Sequence, residues 1–102
     1  MTAKVRVVLP GSLCSLAGAP REVLICLLDG PVTQRTLLDA LETNYPALRG
    51  TIRDYSSKRR RPFVRFFACE KDLSHGSPDE TLPLAVVEER EVFMVVGAIA
   101  GG

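Results

Sequence analysis

The last apolar stretch of this 102-residue chain, Arg90-Glu91-Val92-Phe93-Met94-Val95-Val96, passes without a turn into Gly97-Ala98-Ile99-Ala100-Gly101-Gly102. The stretch is short, apolar and β-branched, the pattern of a buried strand. After Val96 there is no charged, aromatic or long side chain. A glycine-ended tail has little girth and takes backbone angles closed to other residues, so it can thread a narrow cleft and present a carboxylate there. Six residues from Gly97 reach at most ~20 Å when extended. The plain alternative is a frayed end. Two glycines close a chain by chance about once in 200 sequences. The fold therefore has to hold a strand that comes last and to leave its tail outside.

Length predicts a single domain over residues 1–102, with residues 97–102 as a flexible tail. A domain of this size buries roughly two-thirds of its unfolded surface, enough for one core. Hydrophobic residues at 46% and charged residues at 25% exclude a disordered composition. A net charge of +1 gives no field that would select nucleic acid or an anionic membrane. No apolar run is long enough to cross a bilayer, and Lys4 and Arg6 interrupt the first one, so neither a membrane anchor nor a signal peptide is expected. Cys14, Cys26 and Cys69 are odd in number and widely spaced, which points to reduced thiols and a cytoplasmic setting.

Lys4-Val5-Arg6-Val7-Val8-Leu9 places Val5, Val7 and Leu9 on one face of a strand that ends at Pro10-Gly11. Residues 12–21 read as a loop with one helical turn around Leu13 to Leu16. Residues 22–28 read as a second strand, the hairpin partner of the first, stopped by Asp29-Gly30-Pro31. Leu37, Leu38, Leu41 and Tyr45 recur at helical spacing, so a helix is predicted over residues 34–44. Thr33 suits its N-cap, and Thr36 at the third position argues against a capping box. Pro46 ends the helix and opens a short turn that carries Leu48 and Ile52 inward. Residues 53–62 are polar and hold the basic run Lys58-Arg59-Arg60-Arg61. Residues 63–69 read as a third strand with Val64, Phe66 and Ala68 inward and Arg65 outward. Residues 70–80 read as a turn-rich connection, Leu82-Pro83-Leu84 as a short segment on the core, and Glu88-Glu89-Arg90 as a charged turn. One helix on one face of a mixed four-stranded sheet is a compact α+β domain. Its other sheet face stays partly wet or meets a partner.

That order, closed by Gly-Gly, resembles the ubiquitin-like β-grasp sulfur carriers, above all the small subunit of molybdopterin synthase and its thiazole-pathway relative. Four segments carry the likeness: Leu9-Pro10-Gly11-Ser12-Leu13 through Leu16-Ala17-Gly18; Leu37-Leu38-Asp39-Ala40-Leu41 with Tyr45-Pro46-Ala47-Leu48-Arg49; the strand from Glu91 to Val96; and Ala98-Ile99-Ala100-Gly101-Gly102. The resemblance implies a β-grasp fold with a mixed four- to five-stranded sheet and one main helix. It also implies that the Gly102 carboxylate is adenylated and becomes a thiocarboxylate, with Gly101 helping the end to thread a channel. Such a chain is not an enzyme but the substrate of an adenylating enzyme of the ubiquitin-activating type, which uses ATP and Mg²⁺; the chain itself binds no cofactor and no metal. A sulfurtransferase would donate the sulfur, and a synthase large subunit or another acceptor enzyme would receive it. Some positions depart from the family pattern: Cys14-Ser15 replaces the usual Arg-Glu, Cys69-Glu70 follows the third strand where an Asn is usual, and Glu89-Arg90 replaces Gly-Asp.

Ala98, Ile99 and Ala100 are expected to contact the partner's cleft, and Phe63, Arg65 and Phe67 to contact it from the sheet. The last three also suit an RNA platform, although nucleic acid is not the expected partner. The basic run reads as a solvated loop, with docking of an acidic partner or RNA as the alternative. His75 lies in a turn with no base or ligand spaced to it, and the cysteines lack metal spacing. Glycine-rich phosphate-loop motifs are absent. Two rival functions remain. One is a protein modifier joined to lysines through its tail; the other is a binding module with an inert tail.

Overall fold

The computed structural model describes residues 3–27 and 29–97. Among the described residues, five strands and three α-helices follow in the order β1 (Ala3–Val8), α1 (Gly11–Ala17), β2 (Glu22–Leu27), α2 (Gln34–Asn44), a 3₁₀ turn (Pro46–Leu48), β3 (Val64–Ala68), β4 (Lys71–Asp72), α3 (Leu84–Val87) and β5 (Phe93–Gly97). The strands form one mixed sheet in the order β2-β1-β5-β3-β4. β1 pairs antiparallel with β2 and parallel with β5, while β5 pairs antiparallel with β3. The last strand therefore lies in the middle, bonded on both sides.

Alternation decides which way each strand faces. Val5, Val7, Val23, Ile25, Val64, Phe66, Phe93 and Val95 are buried on one face with Leu37, Leu38 and Leu41 of α2. The Phe66 and Phe93 rings meet with centroids 5.3 Å apart, a tilted aromatic pair at the centre of that core. Leu48 and Ile52 also reach the core, as the sequence predicts.

The sheet has a fifth strand inside the stretch read as a turn-rich connection. Cys69 and Glu70 both take positive φ, +52° and +63°, and join β3 to β4 as a two-residue loop. Positive φ at both central residues is the type I′ turn, whose twist matches paired strands. Residues 11–17 form a helix of seven residues rather than a loop with one turn. Leu13 and Cys14 N–H groups both bond the Pro10 carbonyl, and Gly18 at φ +65° lets the chain leave. Only Leu13 of this helix is buried, so no periodic pattern announced it. A second short helix, α3, follows Pro83.

The expected absence of a capping box on α2 is wrong. The Thr36 N–H donates to Thr33 Oγ1 at 3.1 Å, and the Thr33 N–H donates to Thr36 Oγ1 at 2.9 Å. A threonine hydroxyl does here what Glu or Gln does in the usual box.

Candidate functional site

β5 delivers the chain to the edge of the core at Gly97, which pairs with Val64 of β3. Gly97 has φ +155°, and a Cβ built there would press on the Phe63 carbonyl and lie 2.9 Å from Val64 Cα. Both obstacles are backbone, so a side chain has no room unless the strand pair opens. Glycine is required at the root of the tail by contact. The predicted tail residues Ala98, Ile99, Ala100, Gly101 and Gly102 lie outside the described residues.

The outer sheet face beside this root is partly apolar. Arg65 stands opposite Val96, and Phe67 opposite Met94. Val96 is 40% exposed, Met94 37%, Leu24 51% and Phe63 77%. The structure thus places predicted residues Arg65 and Phe67 on one face, with Phe63 exposed just before β3 begins. Met94 and Val96 belong to the same surface and were missed. Their signal was available, because alternation with buried Phe93 and Val95 leaves them outward. Arg65 Nη1 donates to Asp72 Oδ2 at 3.0 Å across the β3–β4 edge. The hydroxyl and N–H of Ser74, then Arg65, hold the Asp72 carboxyl down at about 2.

The stretch read as a solvated basic loop is fixed to the body of the protein. Arg53 is 2% exposed; its Nε donates to Glu42 Oε2 at 3.0 Å and its Nη2 to Asp39 Oδ1 at 2.7 Å. Burial opposes the guanidinium charge, yet the hydrogen bonds it donates to Glu42 and Asp39 outweigh that and raise its pKa. Arg60 donates to the carbonyls of Ser74 and Val64, and Arg61 to that of Gly50. Long cationic side chains here close open backbone carbonyls, a role that polarity alone does not reveal.

His75 is exposed, and Cys14, Cys26 and Cys69 are free thiols. Among the described residues no three His, Cys, Asp or Glu side chains are grouped to hold a metal. No helix among them is long and apolar enough to cross a membrane.

A mixed sheet gripping one main helix, with the last strand central and parallel to the first, is the ubiquitin-like β-grasp fold. SAMP1 from Haloferax volcanii shares it with a TM-score of 0.71 at 19% identity, covering 97% of this chain and 99% of that one. CysO from Mycobacterium tuberculosis shares it at 0.68 and 20% identity, over 92% and 98%. A chain of the BexX/CysO complex from Amycolatopsis orientalis matches at 0.69 and 16% identity, over 96% and 99%. These structural neighbours are ubiquitin-like sulfur-carrier and modifier proteins. No protein-family model and no curated protein matches the sequence.

Proposed function

We propose that this protein is a sulfur carrier activated at Gly102. The observation that supports it most is the placement of β5. The strand beside the tail is central in the sheet, its root glycine is packed on backbone, and an apolar face flanks it. A rigid base with a thin tail suits delivery of a terminus into another protein's channel.

A carboxylate resists nucleophiles because it is already negative. Attack of a Gly102 carboxylate oxygen on the α-phosphorus of ATP expels pyrophosphate and gives an acyl adenylate. A persulfide sulfur then adds to the acyl carbon and AMP departs, leaving an acyl disulfide. A second thiol cleaves its S–S bond, freeing the Gly102 thiocarboxylate and leaving a disulfide on the donor. An adenylating enzyme of the ubiquitin-activating type supplies the ATP site, Mg²⁺ and phosphate-stabilising groups. This chain contributes position, not catalysis: Gly101 for passage through the channel, Ala98, Ile99 and Ala100 for contacts along it, and Phe63, Arg65 and Phe67 for contact at its mouth. The partners are thus that enzyme, a sulfurtransferase and a sulfur acceptor, in a cytoplasmic setting where the thiols remain reduced. The likeness to the molybdopterin synthase small subunit makes a synthase large subunit the first acceptor to test.

Incubation with ATP, the cognate activating enzyme and a sulfur donor is expected to exchange one oxygen for one sulfur, a gain of about 16 Da on the intact chain. An unchanged mass would refute the carrier. One neighbour is itself named a small archaeal modifier protein, which favours conjugation as the second reading. Reductant-resistant adducts on lysines, lost when Gly102 is deleted, would establish it. Full activity without Gly101 and Gly102 would instead identify a binding module with an inert tail.

A further inference from the structure

The two edges of the sheet are built differently. The β4 edge is two residues long, both charged and exposed, and Asp72 is tied back by Arg65. The β2 edge runs for six residues in unbroken register with β1, from Ala3 opposite Leu27 to Val8 opposite Glu22. It contains no proline, no lysine and no bulge. Proteins blunt free edges with such devices, and an edge without them is a template for another strand.

One bond fixes the direction of the free groups. The Leu9 N–H donates to the Arg21 carbonyl at 2.8 Å, so these two residues begin the hydrogen-bonded pairs between β1 and β2. Such pairs alternate, and Val23, Ile25 and Leu27 therefore turn their N–H and carbonyl groups to β1. Glu22, Leu24 and Cys26 turn theirs to the open side, where no other described residue bonds them. The same three residues put their side chains on the outer face; Leu24 is half exposed and Cys26 is exposed. On that face Lys4 stands beside Cys26, exposed and without a carboxylate partner among the described residues.

We propose that β2 pairs with β2 of a second copy of this chain, antiparallel about a two-fold axis at Leu24. In that register Leu24 meets Leu24, Glu22 meets Cys26 and Cys26 meets Glu22, so all three outward residues of each copy are bonded. Sliding by two residues one way sets Cys26 against Pro20, which has no N–H to give. Sliding the other way sets Glu22 beyond the end of the strand. The two-fold also sets the small Cys26 side chain between Glu22 and Lys4 of the second copy. Two strand spacings, about 10 Å, are within reach of those two long side chains. Leu24 against Leu24 buries apolar surface at the axis, and no like charges stand opposite each other. An unrelated strand could use the same backbone groups, but the chain's own β2 already matches both their spacing and their charge. The edge is separate from the tail, so this pairing stands or falls apart from the sulfur-carrier reading.

The test is analytical ultracentrifugation of the full chain in reductant from ~1 μM to ~1 mM, with amide hydrogen exchange at both ends of that range. Edge pairing buries less than a standard interface, so a dissociation constant of about 10–100 μM is expected. The Glu22, Leu24 and Cys26 amides should exchange more slowly at high concentration, while those of Val23 and Ile25 are protected throughout. Leu24→Lys sets like charges against each other at the axis and should weaken association at least about tenfold, with little change in melting temperature. Lys4→Glu should weaken it several-fold. A monomer at ~1 mM, or a dimer whose three outward amides stay unprotected, would overturn the assignment. So would a dimer that survives Leu24→Lys and is lost in Met94→Lys, which would move the contact to the sheet face. Protection of these amides only on adding an unrelated strand-forming peptide would overturn it too, in favour of a partner's strand.

Discussion

Gly97 shows how one missing side chain positions a whole segment. Its φ of +155° and the nearness of Val64 Cα leave a Cβ no way out except by opening the β3–β5 pairing. Gly97→Ala is expected to destabilise the protein by about 1–3 kcal/mol. It should also lower the rate of activation at Gly102 more than the melting temperature explains, which paired thermal and activation assays would reveal. A second residue-scale prediction concerns Arg53. Glu42→Leu leaves the buried Arg53 guanidinium with Asp39 as its remaining carboxylate partner and its Nε without one, so it should cost about 1–3 kcal/mol, measured by denaturant unfolding. The double change Glu42→Leu with Arg53→Met should cost less than Glu42→Leu alone. Neither the burial of Glu42 nor that of Arg53 could be read from the sequence. Their pairing spans eleven residues and two elements, and a charge in a polar run looks like any solvated charge.

At the scale of elements, the β3–β4 hairpin carries two tests. Glu70 is a non-glycine residue in a left-handed turn position. Glu70→Gly removes that strain and should stabilise the fold by about 1 kcal/mol, raising the melting temperature by several degrees. Asp72, held at about 2 by the Ser74 hydroxyl and N–H and then by Arg65, is bound to fewer protons in the folded than in the unfolded chain near its ordinary 3.8. Its support is complete above that ordinary value and is lost as pH falls from about 4 to 2. Unfolding midpoints across this window should fall less in Asp72→Asn than in the parent. Elements were legible where one period dominated. The α2 stripe of Leu37, Leu38 and Leu41 gave that helix its observed bounds, and alternation gave the facing of β1 and β3. α3 and β4 were missed, and α1 was read as a single turn, because two to seven residues with at most one buried side chain show no period. What fixes them is backbone bonding to Pro10, Pro83 and the turn at Cys69-Glu70.

Across the described residues, the first and last strands lie side by side and parallel, so β5 with Gly97 lies in the middle of the sheet. This arrangement joins a stable core to an exposed apolar face and a glycine root in one surface. The fold class and the face bearing Arg65 and Phe67 were legible from strand order and alternation. The central place of β5 and the bracing of the basic loop were not, because both depend on which distant segments pair. The central claim is that the core exists to present a terminus that another enzyme activates. ATP–pyrophosphate exchange catalysed by the cognate adenylating enzyme tests it most directly. The full chain should stimulate exchange, and the chain lacking Gly101 and Gly102 should not; equal exchange with both, or none with the full chain, would contradict the account.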